Sequence, residues 1–60
     1  MDIEEFGEAL KEFADDLIVI EDEDDFLIYR KTPDGPEYAG SVSSFEVELY
    51  EVEEIVKNLR

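Results

Sequence analysis

The 60-residue chain contains no cysteine and no histidine. Without thiols, no disulfide can stabilise the fold, and a zinc site built from thiolate or imidazole ligands is excluded as well. Enzymes that act through a Ser or Cys nucleophile or a metal-bound water usually place His or Cys nearby. We therefore expect that the protein is not an enzyme, has no catalytic residue, metal site or cofactor, and depends on apolar side chains for its core.

The chain also lacks long hydrophobic runs and a basic start. Its longest apolar stretch is far below the roughly 18 residues that cross a membrane. Asp2, Glu4 and Glu5 occupy positions where a secretory signal carries positive charge. We expect a cytoplasmic protein, and because its charge would repel nucleic acid and anionic membranes alike, neither is an expected direct partner.

Basic residues are scarce, since 5 Lys and Arg stand against 19 Asp and Glu, for a formal net charge of -14. Self-repulsion on this scale opposes a compact state, which indicates a role for the negative field outside the protein. A cationic cleft of the kind that DNA- and RNA-handling enzymes present to phosphates would fit such a field. Two competing explanations are an acidic housekeeping domain from a halophile and generic acidic solubility.

The residues that are present suffice for a small core. The chain is 43% hydrophobic and 12% aromatic, which separates it from disordered acidic tails. At this length, folding buries only about 60% of the surface of the unfolded chain, so stability is marginal. We expect a single acidic domain over residues 1–60 that a partner or a second copy would stabilise.

Two stretches repeat apolar residues at the helical spacing of three and four. The first predicts a helix over residues 2–16 with Asp2 as its N-cap. The second opens on a capping-box pattern of Ser43 and Glu46 and predicts a helix that continues to Leu59.

The second helix has an alternative, because apolar residues also alternate through Phe45, Val47 and Leu49. That pattern would extend the preceding strand to Leu49 instead. We favour the helix, because its stripe continues toward the end of the chain. Phe45 is then predicted to lie in the core, whereas Val47 and Tyr50 lie off the core stripe.

Three short segments have the composition of strands: residues 17–20, 26–29 and 37–42. The first two lack strict alternation, so we expect both faces of their sheet to be covered. With the two helices, these segments predict an α+β fold, a three-stranded antiparallel sheet with an N-terminal and a C-terminal helix. The acidic residues 21–25 predict a charged hairpin turn; a calcium loop would need a glycine and a distant bidentate Glu that are missing here.

The spacing of the carboxylates is the main functional signal. Strand residues two apart are separated by roughly 6.6 Å and helix residues four apart by roughly 6 Å, near the spacing of phosphates on an extended strand. A polar helix face usually carries both positive and negative side chains, because interspersed Lys would stabilise the helix through i,i+4 pairs. In this chain nearly all of these charges are negative. Exposed aromatic residues among such acids would form the apolar anchor of an interface.

Part of the chain resembles the small acidic uracil-DNA glycosylase inhibitors of Bacillus phages. The resemblance is carried by residues 37–47, which include Phe45-Glu46-Val47, by Leu49-Tyr50, and by residues 54–60. It covers roughly the C-terminal half. Members of that family are dimers that occupy the DNA-binding cleft of the enzyme and capture its leucine in an apolar pocket between two protomers.

The resemblance implies an inhibitory surface at Phe45 and Glu46, a pocket lined by Tyr50, and Glu37 in place of a phosphate. We predict a DNA-mimic inhibitor of a host enzyme, with uracil-DNA glycosylase as the named target and the host cytoplasm as its location if a phage encodes it. Its expected partners are a basic DNA-binding protein and a second copy of the chain. Alternatives are an anti-CRISPR or anti-restriction inhibitor and the halophile domain. The predicted partner-binding residues are Glu37, Phe45, Glu46, Glu48, Leu49, Tyr50 and Glu53.

Overall fold

A computed structural model describes residues 1–60. Its elements are, in chain order, helix α1 (Ile3–Phe13), strands β1 (Leu17–Asp22), β2 (Asp25–Arg30) and β3 (Glu37–Ser43), one 3-10 turn (Leu49–Glu51) and helix α2 (Val52–Asn58). The order confirms the predicted α+β class with a helix at each end. Neither helix has the length and apolar character that crossing a membrane requires.

The sheet is an antiparallel meander in the order β1-β2-β3. Asp22 pairs with Asp25, so the first hairpin turns through only two residues and is tighter than the predicted loop over 21–25. A bulge interrupts the pairing of β2 with β3 between Ile28 and Tyr29. The second connection closes through a hydrogen bond of 2.9 Å from the Gly35 N–H to the Thr32 carbonyl, and Gly35 supplies a φ of 112°.

Helix α1 begins as predicted, because the Asp2 carboxylate accepts the Glu4 N–H at 3.4 Å. It ends at Phe13, three residues before the predicted end, since Ala14 is already extended. Leu17 completes the apolar stripe from the first position of β1 and is still buried. The apolar spacing thus identified Phe6, Leu10 and Leu17 as core residues, whereas Phe13 of the same stripe is exposed.

The predicted start of the second helix at Ser43 is wrong, and so is the alternative strand to Leu49. Ser43 is the last residue of β3, a turn follows, and Glu48 is extended with φ −120° and ψ 153°. The capping bond forms later, where the Glu51 carboxylate accepts the Glu48 N–H at 3.0 Å. This delay inverts the predicted burial, because Val47 enters the core and Phe45 is exposed.

Both helices pack on the same face of the sheet. Phe6 of α1 stacks on Phe26 of β2 with ring centroids 5.0 Å apart, and both rings are fully buried with Val52 of α2. A Cβ on Gly40 of β3 would lie 3.0 Å from the Leu59 side chain, so the end of α2 closes on this face too. The second face has no partner within the chain, so the second helix does not cover it, and its cover by another molecule stays a prediction.

We expect the two faces to respond differently to the same change. Ile28→Val removes a methylene from the core, where Ile28 is fully buried, and should lower the free energy of unfolding by about 1 kcal/mol. Ile20→Val makes the same change on the uncovered face and should cost much less. Urea unfolding of the two variants tests this; equal losses would contradict the one-sided core.

Candidate protein-binding site at the acidic end

The two ends of the molecule differ in charge. All 5 Lys and Arg residues lie where β2 and both helices end. Arg60 is fixed there because its N–H donates to the Ala39 carbonyl at 3.2 Å and Arg30 donates to its carbonyl at 3.2 Å. Acidic residues balance these cations, so we call this region the balanced end: Lys11, Glu12, Asp15, Asp16, Arg30, Lys31, Asp34, Glu37, Lys57 and Arg60.

The opposite end combines the β1–β2 hairpin with the N-terminal turns of both helices. It contains no Lys or Arg, and we call it the acidic end: Asp2, Glu4, Glu5, residues 21–25, Glu46, Glu48, Glu51, Glu53 and Glu54. Acids in the first turn of a helix are stabilised by its dipole. The hairpin acids have no such compensation, and the one ion pair of the structure, Arg30 with Asp16 at 2.9 Å, lies at the balanced end.

The hairpin retains a carboxylate where the backbone favours glycine. Glu23 has a φ of 54°, the only positive φ at a residue other than glycine. This left-handed conformation costs a residue with a Cβ roughly 1–2 kcal/mol. An acidic side chain at such a position fits selection for charge at this turn rather than for stability.

The acidic residues of the hairpin do not form a cation site. No group of three or more Asp or Glu side chains is placed so that it could hold a metal ion. All five residues of the run 21–25 are exposed.

Ser44 joins the hairpin to the segment that follows β3. Its N–H and its hydroxyl both donate to the Asp24 carbonyl, each at 2.8 Å, and its own carbonyl accepts a bond of 2.8 Å from the Met1 nitrogen. Ser44 is buried, whereas its neighbour Phe45 is not. The position of Phe45 is thus tied to the acidic hairpin through backbone and side-chain hydrogen bonds.

An apolar patch lies within the acidic end. It consists of Phe45, Leu49 and Tyr50, which are 75%, 52% and 85% exposed. The patch borders a shallow depression with Met1 and Val47 in its lining, and Glu5 and Glu48 at its edge. Large apolar side chains grouped at this exposure, with carboxylates around them, are typical of a surface that another protein covers.

The structure brings together four of the predicted partner-binding residues, namely Phe45, Glu48, Leu49 and Tyr50. Glu46 borders a neighbouring depression with Glu51, and Glu53 is exposed in the first turn of α2. Glu37 lies apart from them, because it opens β3 opposite Arg30 at the balanced end.

Sequence reasoning did not include Met1, Glu5 and the hairpin acids in the site. Their proximity to the patch results from contacts between distant parts of the chain, such as the bond from Met1 to Ser44. The acidic run at 21–25 is visible in the sequence, where it predicts a charged hairpin turn and no binding role. No local pattern reports which helix ends and turns share one end of a fold.

No family model matches the chain, and no curated protein or solved structure is significantly similar to it.

Glu23, which has a left-handed backbone conformation, allows a test of whether its charge is retained at the expense of stability. Glu23→Gly removes both the backbone strain and one charge, and should raise the free energy of unfolding by about 1 kcal/mol. Glu23→Gln keeps the Cβ and removes only the charge, so its gain should be smaller. Thermal unfolding distinguishes the two variants, and an equal gain would show that the backbone at this position carries no strain.

Proposed function

We propose that the protein inhibits a DNA-binding enzyme by occupying its basic cleft, with carboxylates in place of DNA phosphates. Uracil-DNA glycosylase is the first target to test. The observation that carries the proposal is the exposed apolar patch inside an end of the molecule that has acidic residues and no Lys or Arg. A solubility function accounts for the acids but gives no reason to expose Phe45 and Tyr50 among them.

The acidic end would act first, during approach. Complementary fields speed association and orient the partners, and the effect weakens with salt because the screening length is about 8 Å at physiological ionic strength. The uneven distribution of charge matters here. A cationic cleft attracts the acidic end more strongly than the balanced end, so the apolar patch is turned toward the enzyme.

The apolar patch would act second, by slowing dissociation. Burying a large apolar side chain contributes about 1.5–3 kcal/mol, and aromatic residues at the centre of an interface often dominate its affinity. Phe45 and Tyr50 retain most of their surface for such contacts. Apolar burial persists under screening, so inhibition should depend on salt less steeply than DNA binding does.

Neutralising acids at one end or the other tests the electrostatic part of this proposal. The triple variant Glu46→Gln, Glu48→Gln, Glu53→Gln should slow association with uracil-DNA glycosylase and weaken its inhibition at least several-fold, because steering is lost. The control Glu12→Gln, Asp15→Asn, Asp34→Asn removes the same charge from exposed positions at the balanced end and should have a small effect.

Uracil excision and stopped-flow association rates are the measurements. If the two triple variants behaved alike, net charge rather than the acidic end would be responsible. If the unaltered protein left uracil excision unchanged at stoichiometric amounts, glycosylase would be ruled out as the target. Recovery of a nuclease from a host lysate would then favour an anti-restriction or anti-CRISPR inhibitor.

Shortening the aromatic side chains of the apolar patch tests the second part of the proposal, that the patch slows dissociation. Tyr50→Ser and Phe45→Ser should each raise the dissociation rate of the inhibited complex by tenfold or more, since an interface anchor is lost. Neither should lower the free energy of unfolding appreciably, because both side chains are mostly exposed. Phe13→Ser, at an exposed aromatic residue near the balanced end, is the matched control. An unchanged dissociation rate in both patch variants would argue against the anchor.

A further inference from the structure

The outer side of strand β1 is an edge of the sheet whose backbone groups have no partner in the chain. In an antiparallel pair, residues that exchange hydrogen bonds with the neighbouring strand alternate with residues that do not. The bond of 2.8 Å from the Lys31 N–H to the Asp16 carbonyl fixes this alternation for β1 and β2. Leu17, Val19 and Glu21 therefore direct their N–H and C=O groups away from β2. No backbone bond from a loop, turn or cap reaches these three residues.

The other edge of the sheet, at β3, is covered by the chain itself. The Ala39 carbonyl accepts the Arg60 N–H at 3.2 Å, and the Ser43 carbonyl accepts the N–H groups of Glu46 and Val47 at 3.3 and 3.2 Å. Proteins usually protect an exposed edge with such cover, or with lysine, proline or a bulge. The apolar part of β1, Leu-Ile-Val-Ile, has none of these, and the bulge of the sheet lies between β2 and β3. The edge that can accept another strand is therefore β1.

A groove of about 500 Å³ lies between this edge and helix α1. We call it the edge groove, and its lining includes Glu4, Gly7, Glu8, Lys11, residues 17–19 and Lys31. Gly7 allows α1 to approach β1, because a Cβ there would lie 3.2 Å from the Val19 side chain. Since successive strand residues point to opposite faces, a groove lined by three consecutive residues of β1 extends to the outer side of the strand. Its volume is in the range of protein binding sites, roughly 300–1,000 Å³.

The two ends of the edge groove carry opposite charges. Lys11 and Lys31 line it at the balanced end, whereas Glu4 lines it at the acidic end and Glu8 follows one helical turn later. The one ion pair of the structure lies outside the groove, so neither lysine is paired. A segment that runs antiparallel to β1 starts at the acidic end and finishes at the balanced end. It complements both ends when its first residue is basic and its last is acidic.

We propose that the edge groove binds an extended segment of a partner protein, which pairs with β1 as an added antiparallel strand. Backbone bonds to Leu17, Val19 and Glu21 would supply affinity, and apolar side chains at alternate positions of the segment would enter the groove. A second copy of the chain is a poor occupant, because it would bring another net charge of -14. The groove shares no lining residue with the depression at the apolar patch. Binding there is therefore independent of the proposed inhibition.

The probe is a labelled peptide, Lys-Thr-Val-Thr-Val-Thr-Glu, with blocked termini. Its Lys, Val and Glu side chains lie on one face of a strand, the face that would turn toward α1. Fluorescence anisotropy should show saturable binding with a Kd below about 1 mM. N-methylation of both valines removes the N–H groups that would bond to β1 and should weaken binding at least tenfold. N-methylation of the threonine after each valine alters N–H groups that face away and should change binding little.

Equal effects of the two methylated peptides, or no binding of the unmethylated one, would overturn strand addition. Lys31→Glu should weaken binding of the unmethylated peptide roughly threefold or more, because it places a second carboxylate beside the acidic end of the peptide. Lys57→Glu makes the same change at an exposed position of the balanced end outside the groove and should have no effect. Equal losses in both variants would show that net charge, and not the edge groove, governs binding.

Hydrogen exchange of the backbone amides locates the contact without any variant. The N–H groups of Val19 and Glu21 should exchange rapidly in the free protein, because they have no partner, and the peptide should slow them at least tenfold. Amides of β3 should be unchanged. Protection at β3 without protection at β1 would overturn the proposal. Slow exchange of Val19 and Glu21 that speeds up on dilution, with no peptide present, would show that a second copy is the occupant and would overturn the assignment to a partner protein.

Discussion

The fold depends on one apolar layer, in which Phe6 and Val52 from the two helices close over Phe26 and Ile28 of the central strand. A chain of 60 residues has enough apolar surface for one such layer and too little for a second. Both helices therefore lie on the same face, and each runs from the hairpin end of the sheet toward the opposite end. Their N-terminal turns meet at one end as a result.

This parallel arrangement explains much of the charge separation. Helix dipoles favour acids in first turns and bases in last turns, so Glu4, Glu53, Lys11 and Lys57 sit where any stable pair of helices would place them. Helix dipoles do not explain the hairpin acids, because these residues add electrostatic repulsion and, at Glu23, backbone strain. Helix stability alone accounts for the sign of the charges at the helix ends. It does not account for the run of carboxylates in the β1–β2 hairpin.

The sequence predicted those parts of the fold that local periodicity determines: the first helix with its Asp2 cap, the three strands and the later part of α2. The sequence-based prediction is wrong at residues 43–51, where a contact between residues 20 positions apart determines the conformation instead of the local pattern. Ser43, the predicted cap, is still paired with Asp25 as the last residue of β3, and the N–H and hydroxyl of the next residue, Ser44, both donate to the Asp24 carbonyl. The chain then turns, Val47 takes the core position, and Phe45 points outward.

The same contact decides how much of the candidate site could be foreseen. Tyr50 was expected to lie off the core stripe and does so, whereas the core position predicted for Phe45 was wrong, and Glu37 lies apart from the patch it was grouped with. Local spacing encodes which face of an element is apolar. It does not encode which turns share an end of the molecule, and the patch exists because the hairpin, the start of the chain and the turn after β3 converge at Ser44. A binding surface formed by such a junction follows from tertiary structure, since the local pattern of each segment, taken alone, does not indicate that the three segments meet.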